Sequence, residues 1–245
     1  VTREEAAAIA VELEKSLLKQ ALPGRAEYEK KYLKSELRFL GAGMPTVRAE
    51  CTRLYKRLGS IGRSGLDVLV DALWRSGCHE LRSVGICLMI SHSKLFSVRD
   101  LPMIQRLISE SAGWAHVDWL AIDLLGPIYS REPAMKRRLH DWTRHDDFWV
   151  RRASMLALLN EAKNGNREAF DAFSEFASKM VAEKEFFIRK AIGWVLREVS
   201  KKQPEWSFEF LSTHRNELSG LTLREGSKYL PEQMRDRLKR QGGRE

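Results

Sequence analysis

Three stretches of the sequence combine residue types that a plain helical core does not need. Around Gly193, the residues Ile188, Ala191, Ile192, Val195 and Val199 recur at three- and four-residue intervals and form an aliphatic stripe. Trp194 lies off the centre of that stripe, with Lys190 four positions before it and Arg197 three after, so the indole and both cations share one helical surface. Such a surface can meet a phosphodiester backbone and a deoxyribose; it can equally be a Trp at the edge of a core. Trp114 and Asp118 stand one turn apart, beside a stripe of Val117, Leu120, Ala121 and Leu124. A carboxylate on a face that meets a polyanion repels phosphate, so Asp118 either has a compensating chemical role or is an ordinary exposed or structural acid. Arg152 falls inside an apolar sector bracketed by Phe148, Trp149, Met155, Leu156 and Leu159, and a cation there needs an anion. A carboxylate from another helix, Asp118 included, or a phosphate would serve, as would a structural ion pair or a snorkelling side chain.

These residues need rigid elements to hold them, and the pattern supplies helices. Apolar residues recur at helical intervals, breaks coincide with Gly and Pro, and no segment reads as a sheet, so the chain is expected to be all-α. Thr2 and Glu5 have capping-box spacing and predict a first helix running to Ala21, before Pro23-Gly24. A second is expected over 26–40, a third capped by Thr46, and a flexible linker over 59–65. That glycine-rich linker lacks the Lys-Ser/Thr ending of a phosphate loop. Beyond it helices are expected to begin near Leu66, Leu101, Pro133, Arg167 and Pro204. Each is followed by a partner, over 79–91, 113–125, 147–161, 184–200 and 219–230. The spacing of roughly 32 to 37 residues is that of a paired-helix solenoid. One repeat domain over 1–245 is expected, with capping helices over 1–58 and helix pairs over 66–240. In such a stack the second helices form one layer, which would bring Trp114, Asp118, Arg152 and Trp194 onto adjacent steps of one surface.

Composition narrows the function classes. The 245 residues carry 42 Lys and Arg against 33 Asp and Glu, a net charge of +9, while 43% are hydrophobic, so the chain folds around a core and carries a positive excess. That excess is either an evenly solvated surface or a face that meets a polyanion. No apolar run approaches the roughly 18 residues of a membrane span, and the amino terminus lacks a secretory pattern, so a cytoplasmic protein is expected. Cys51, Cys78 and Cys87 fit neither a disulfide framework nor a zinc knuckle and are expected as buried, reduced thiols. His140 and His145 lack a metal-binding frame, and they and His116 are expected at the surface.

The segment Lys184-Glu185-Phe186-Phe187-Ile188-Arg189-Lys190-Ala191-Ile192-Gly193-Trp194-Val195-Leu196-Arg197-Glu198 resembles the signature helix of the AlkD-like DNA alkylation repair proteins, which are bacterial alkylpurine DNA glycosylases. Lys31 to Gly41, Trp114 to Asp118 and Phe148 to Ala153 support the resemblance in the same order, and together they extend it from Ala26 to Lys239. The resemblance implies a right-handed, HEAT-like superhelix of antiparallel helix pairs whose concave basic face holds duplex DNA. It implies hydrolysis of the N-glycosidic bond of N3-alkyladenine and N7-alkylguanine, with the lesion kept stacked rather than flipped. It makes Asp118 the catalytic carboxylate, Trp114 and Trp194 the active-site indoles, Arg152 the active-site arginine, and Tyr32 an aromatic that approaches DNA. Lys190 and Arg197, which flank Trp194, are expected as further DNA-facing cations. Ala115 and His116 depart from the family, which often has a second aromatic and an acid there; that departure bears on lesion preference. No metal or cofactor is expected, and the protein is expected to act as a monomer. The alternative is a non-catalytic relative that binds branched or damaged DNA.

Overall fold

The computed structural model describes residues 1–241, and among them every regular element is helical apart from one isolated parallel bridge between Arg38 and Cys78. The last residues of the expected 1–245 domain, 242–245, lie outside the described ones. The chain forms two compact units, Val1–Arg99 with Glu110–Trp119, and Asp100–Ser109 with Leu120–Glu245.

The first unit contains α1 (Arg3–Lys19), α2 (Arg25–Leu33), α3 (Met44–Leu58), α4 (Arg63–Arg75) and α5 (His79–Ser91); α6 (Leu101–Ser109), part of the second unit, comes before α7 (Trp114–Trp119) in the chain. The capping box that starts α1 is present: the Glu5 N–H donates to Thr2 Oγ1 at 3.2 Å and the Thr2 N–H to Glu5 Oε2 at 2.7 Å. In α4, Leu66, Leu69, Val70, Leu73 and Trp74 are buried at helical spacing, and this face packs against α1 and α5.

The second helix is shorter than its periodicity predicts. It ends at Leu33, where Lys34 turns left-handed at φ 50°, and residues 34–43 run irregularly. Partners far along the chain hold this segment out of a helix: Arg38 exchanges main-chain bonds with Gly77 and His79, and the buried Glu80 carboxylate accepts the N–H groups of Leu40, Gly41 and Ala42 at 2.7 to 3.2 Å. The third helix is capped by Gly43 rather than Thr46, which lies inside it. The linker expected over 59–65 is also shorter, because α4 begins at Arg63 and Gly65 is buried within it.

The second unit continues with a π-helical stretch Leu120–Leu125, α8 (Gly126–Arg131), α9 (Ala134–Trp142), α10 (Phe148–Leu156), α11 (Leu159–Lys163), α12 (Arg167–Ser178), α13 (Phe186–Ser200), α14 (Pro204–Thr213), α15 (Gly220–Gly226) and α16 (Glu232–Gln241). Starts at Leu101, Arg167 and Pro204 agree with the sequence reading. The single helix expected over 113–125 is instead α7 followed by the π stretch, with α8 carrying the chain on; Pro127 has no N–H to give the Asp123 carbonyl, so the regular ladder cannot continue through it. The helix expected over 147–161 is broken where Leu158 bonds back to Met155 rather than to Ser154. Residues 219–230 hold the seven-residue α15, whose amino end is capped by Ser219. In α13 the anticipated aliphatic stripe is buried, along with Gly193 and Leu196.

Candidate functional site

In the first unit the candidate residues gather on α7 and α2. At 100° per residue, Trp114 and Asp118 share a face of α7 while His116 points the opposite way. Asp118 is only 7% exposed and engages other groups of the protein, so it is not the exposed surface acid. Trp114 is half-buried. The ring of Tyr32, 61% exposed on α2, meets it edge-on at 5.9 Å, and Tyr28 runs parallel to Tyr32 at 6.2 Å. Three aromatic rings in a row and a buried carboxylate therefore lie together. The approach to α7 is an unusual turn, in which Ala112 sits at φ 51° and Gly113 at φ 152°.

His116 corrects the sequence reading: it is 2% exposed rather than at the surface. Its Nε2 lies 3.0 Å from Ser83 Oγ on α5, and its ring stacks on that of His79 at 4.4 Å. Burial pushes both imidazoles down, His79 to about 4 and His116 well below its ordinary value. His140 and His145 are half-buried rather than on the open surface. Cys51 and Cys78 are buried and reduced as expected, but Cys87 is half-buried. Burial pushes the Cys78 thiol up to about 12.

In the second unit, Arg152 is buried at 3% exposure and donates from Nη1 to the Phe187 carbonyl at 2.5 Å, with its guanidinium 6.0 Å from the Phe187 ring. That carbonyl belongs to the first turn of α13, so Arg152 ties α10 to the helix that carries Trp194. Arg151 points elsewhere, into a two-pronged pair with Glu183. On α13, Trp194 is half-buried, and its two neighbouring cations share one acid that the sequence reading missed: Lys190 Nζ lies 2.5 Å from Glu225 Oε1, and Arg197 pairs with Glu225 Oε2. The hydrogen bond from Lys190 is the main force holding the Glu225 carboxyl below its usual range, with burial opposing it. Gly193 is the signal that could have found this contact. A Cβ there would come within 2.7 Å of Glu225 Cβ and 3.2 Å of the Thr222 carbonyl, and a mid-helix glycine, which costs about 1 kcal/mol against Ala, often marks such a close approach.

Among the described residues no group of three His, Cys, Asp or Glu side chains is placed to hold a metal ion, and no helix is long and apolar enough to cross a membrane. The arrangement offers π surfaces, buried and paired cations, and one buried acid.

Comparison with known proteins agrees with the helical architecture. A solved structure described as "Predicted DNA alkylation repair enzyme from Enterococcus faecalis" is 27% identical, covering 87% of this chain and 98% of that one with a TM-score of 0.77. The structure of smu.31 from Streptococcus mutans UA159 shares the fold at 16% identity, with 92% of this chain and 100% of that one covered and a TM-score of 0.62. No protein with a curated description matches significantly. Residues 13–230 match the family described as DNA alkylation repair enzyme, and over that span, most of its length, the chain belongs to this family.

Proposed function

We propose that the protein is a monofunctional, AlkD-like DNA glycosylase that hydrolyses the N-glycosidic bond of cationic N3- and N7-alkylpurines in duplex DNA. Membership of the DNA alkylation repair family makes DNA its partner and repair of alkylated DNA its role. The observation that carries the finer reading is the burial of Asp118, one helical turn from Trp114 in a chain of net charge +9.

Alkylation at N3 or N7 makes the purine a cation. When the C1′–N bond breaks, its electron pair leaves with the base and neutralises that charge, so no general acid is needed. The positive charge moves to the sugar as an oxocarbenium ion. A carboxylate stabilises that ion and orients the water that adds to C1′, taking its proton on the way to solvent. Asp118 fills this role. Trp114 and Trp194 offer π faces to the cationic nucleotide, each contact worth about 0.5–2 kcal/mol. Arg152 holds a phosphate in place, and Tyr32, Lys190 and Arg197 contact the backbone, the latter two while sharing Glu225. The lesion stays stacked, so selection follows its charge and lability, and neutral lesions are poor substrates.

The test is release of 7-methylguanine and 3-methyladenine from methylated duplex DNA. Wild type should release both, and Asp118→Asn should be slower by about 10²–10³-fold. An equally fast variant removes Asp118 from the mechanism. A wild type that releases neither base yet binds fork or Holliday DNA more tightly than lesion duplex is a binding scaffold instead.

A further inference from the structure

His116 takes no part in the reaction just described, yet it lies between Trp114 and Asp118 in sequence and on the far side of α7 from both. It is held from two sides. Ser83 Oγ on α5 sits 3.0 Å from Nε2, and the His79 ring lies 4.4 Å away at an interplanar angle of 21°. Behind it the stack continues, with the Phe39 ring 4.5 Å from that of His79 at 15°; Phe39 belongs to the irregular segment that Glu80 fastens to α5.

The turn that leads into α7 packs beside this ring, with Ser111, Ala112 and Gly113 lining one crevice with His79 and His116. Ser111 opens the turn in which Ala112, a residue with a Cβ, is held left-handed at φ 51°, a conformation that costs on the order of 1 kcal/mol and persists only where its surroundings enforce it. Trp114 follows directly. The turn has little room to relax: the crevice lined by Leu33, His79, Ser111, Gly113 and His116 holds only about 10 Å³.

We propose that His116 is a positioning residue: by pinning α7, and with it the turn that leads into it, to Ser83 and His79 of α5, it fixes the rotation of α7 about its own axis and so the direction in which Trp114 and Asp118 face. The part that concerns Asp118 rests on the glycosylase reading; the part that concerns Trp114 does not. Thr, Ser or Leu at this position could fill space, but none could bond a hydroxyl on α5 while stacking on a second ring.

Two readouts on His116→Ala, His116→Gln and Ser83→Ala separate this from general packing. In ¹⁵N spectra, with the Trp114 indole resonance assigned through Trp114→Phe, His116→Ala should shift or broaden that resonance and leave that of Trp194 in place; His116→Gln, which keeps a hydrogen-bonding arm, should lie near wild type. In single-turnover base release, His116→Ala should slow the chemical step about tenfold while half-saturating DNA changes less than twofold, and His116→Gln should recover most of the rate. Ser83→Ala, which removes one hydroxyl, should move both readouts in the same direction by a smaller amount and carries the comparison if His116→Ala does not fold. An unshifted Trp114 resonance in a folded His116→Ala, or in Ser83→Ala if that is the only folded variant, overturns the proposal. Absence of base release by wild type overturns the glycosylase reading alone, since the indole readout still judges the turn.

Discussion

Acidification should destabilise the protein before its carboxylates begin to titrate, and the cause is the buried histidine pair. Burial holds His79 at about 4, with Glu80 pulling it up and Arg82 pushing it down, and holds His116 well below its ordinary value. In the unfolded chain both return to about 6.5. Above pH 6.5 neither state binds these protons, so the pair adds no slope. Between 6.5 and 4 the unfolded chain takes up protons that the folded protein refuses, so stability falls as pH falls, by about 1.36 kcal/mol per unit for each histidine. At pH 5 His79 alone removes about 2 kcal/mol relative to pH 7.5, and His116 acts in the same direction; against a typical total of 5–15 kcal/mol that is a large loss. The paired carboxylates Glu12, Glu14, Glu161, Glu198 and Glu225 are all lowered from 4.5, so their contribution is lost only as pH falls through and below that value. The interval from 6.5 to 5 therefore isolates the histidines. Urea unfolding followed by far-ultraviolet circular dichroism at pH 7.5, 6.5, 5.5 and 5.0 reads the slope directly. His79→Phe keeps a ring in the stack and removes one titration, so its slope should be about half that of wild type. A wild-type unfolding free energy that stays within about 0.5 kcal/mol from pH 7.5 to 5.0 would refute this account of the pair.

Two substitutions test the contacts that position the elements. Glu80→Ala strands the N–H groups of Leu40, Gly41 and Ala42 in a buried setting and should cost about 3–5 kcal/mol, with amide exchange at these three residues accelerating beyond the global change; unchanged exchange there would mean the segment is held by something else. Gly193→Ala should destabilise by about 1–2 kcal/mol in urea melts, because pushing α15 away costs about 1–3 kcal/mol and helix propensity returns up to about 1; a stabilised variant would show that α15 gives way freely.

Much of the helical frame was readable because its signals are local. Thr2 and Glu5 are three residues apart, the stripe in α13 spans one helix, and Arg152 announced itself as a lone cation in an apolar sector. What the sequence did not disclose depends on partners far away along the chain. Glu80 holds residues 40–42 from some forty residues downstream, and Glu225 reaches back to Lys190 from the other side of α14. A periodic pattern says which face of a helix is buried and nothing about which carboxylate will compete for its main-chain donors. The π stretch was partly legible in Pro127, whose missing donor a longer look at the ladder would have flagged.

His116, expected at the surface and found buried, teaches something different, because the geometry that bears on it is local. The same rotation of 100° per residue that puts Trp114 and Asp118 on one face turns a residue midway between them to the opposite face. If Trp114 and Asp118 turn toward a ligand, His116 turns toward the body of the protein, whatever the average exposure of histidines. Residue-type statistics and helical geometry disagreed, and geometry had the stronger claim, since it acts on this residue and not on a population. The cations follow the same rule in reverse. A net charge of +9 suggests a basic face, but Lys190 and Arg197 arrive already sharing Glu225, so the charge they present at the surface is set by that acid as much as by themselves.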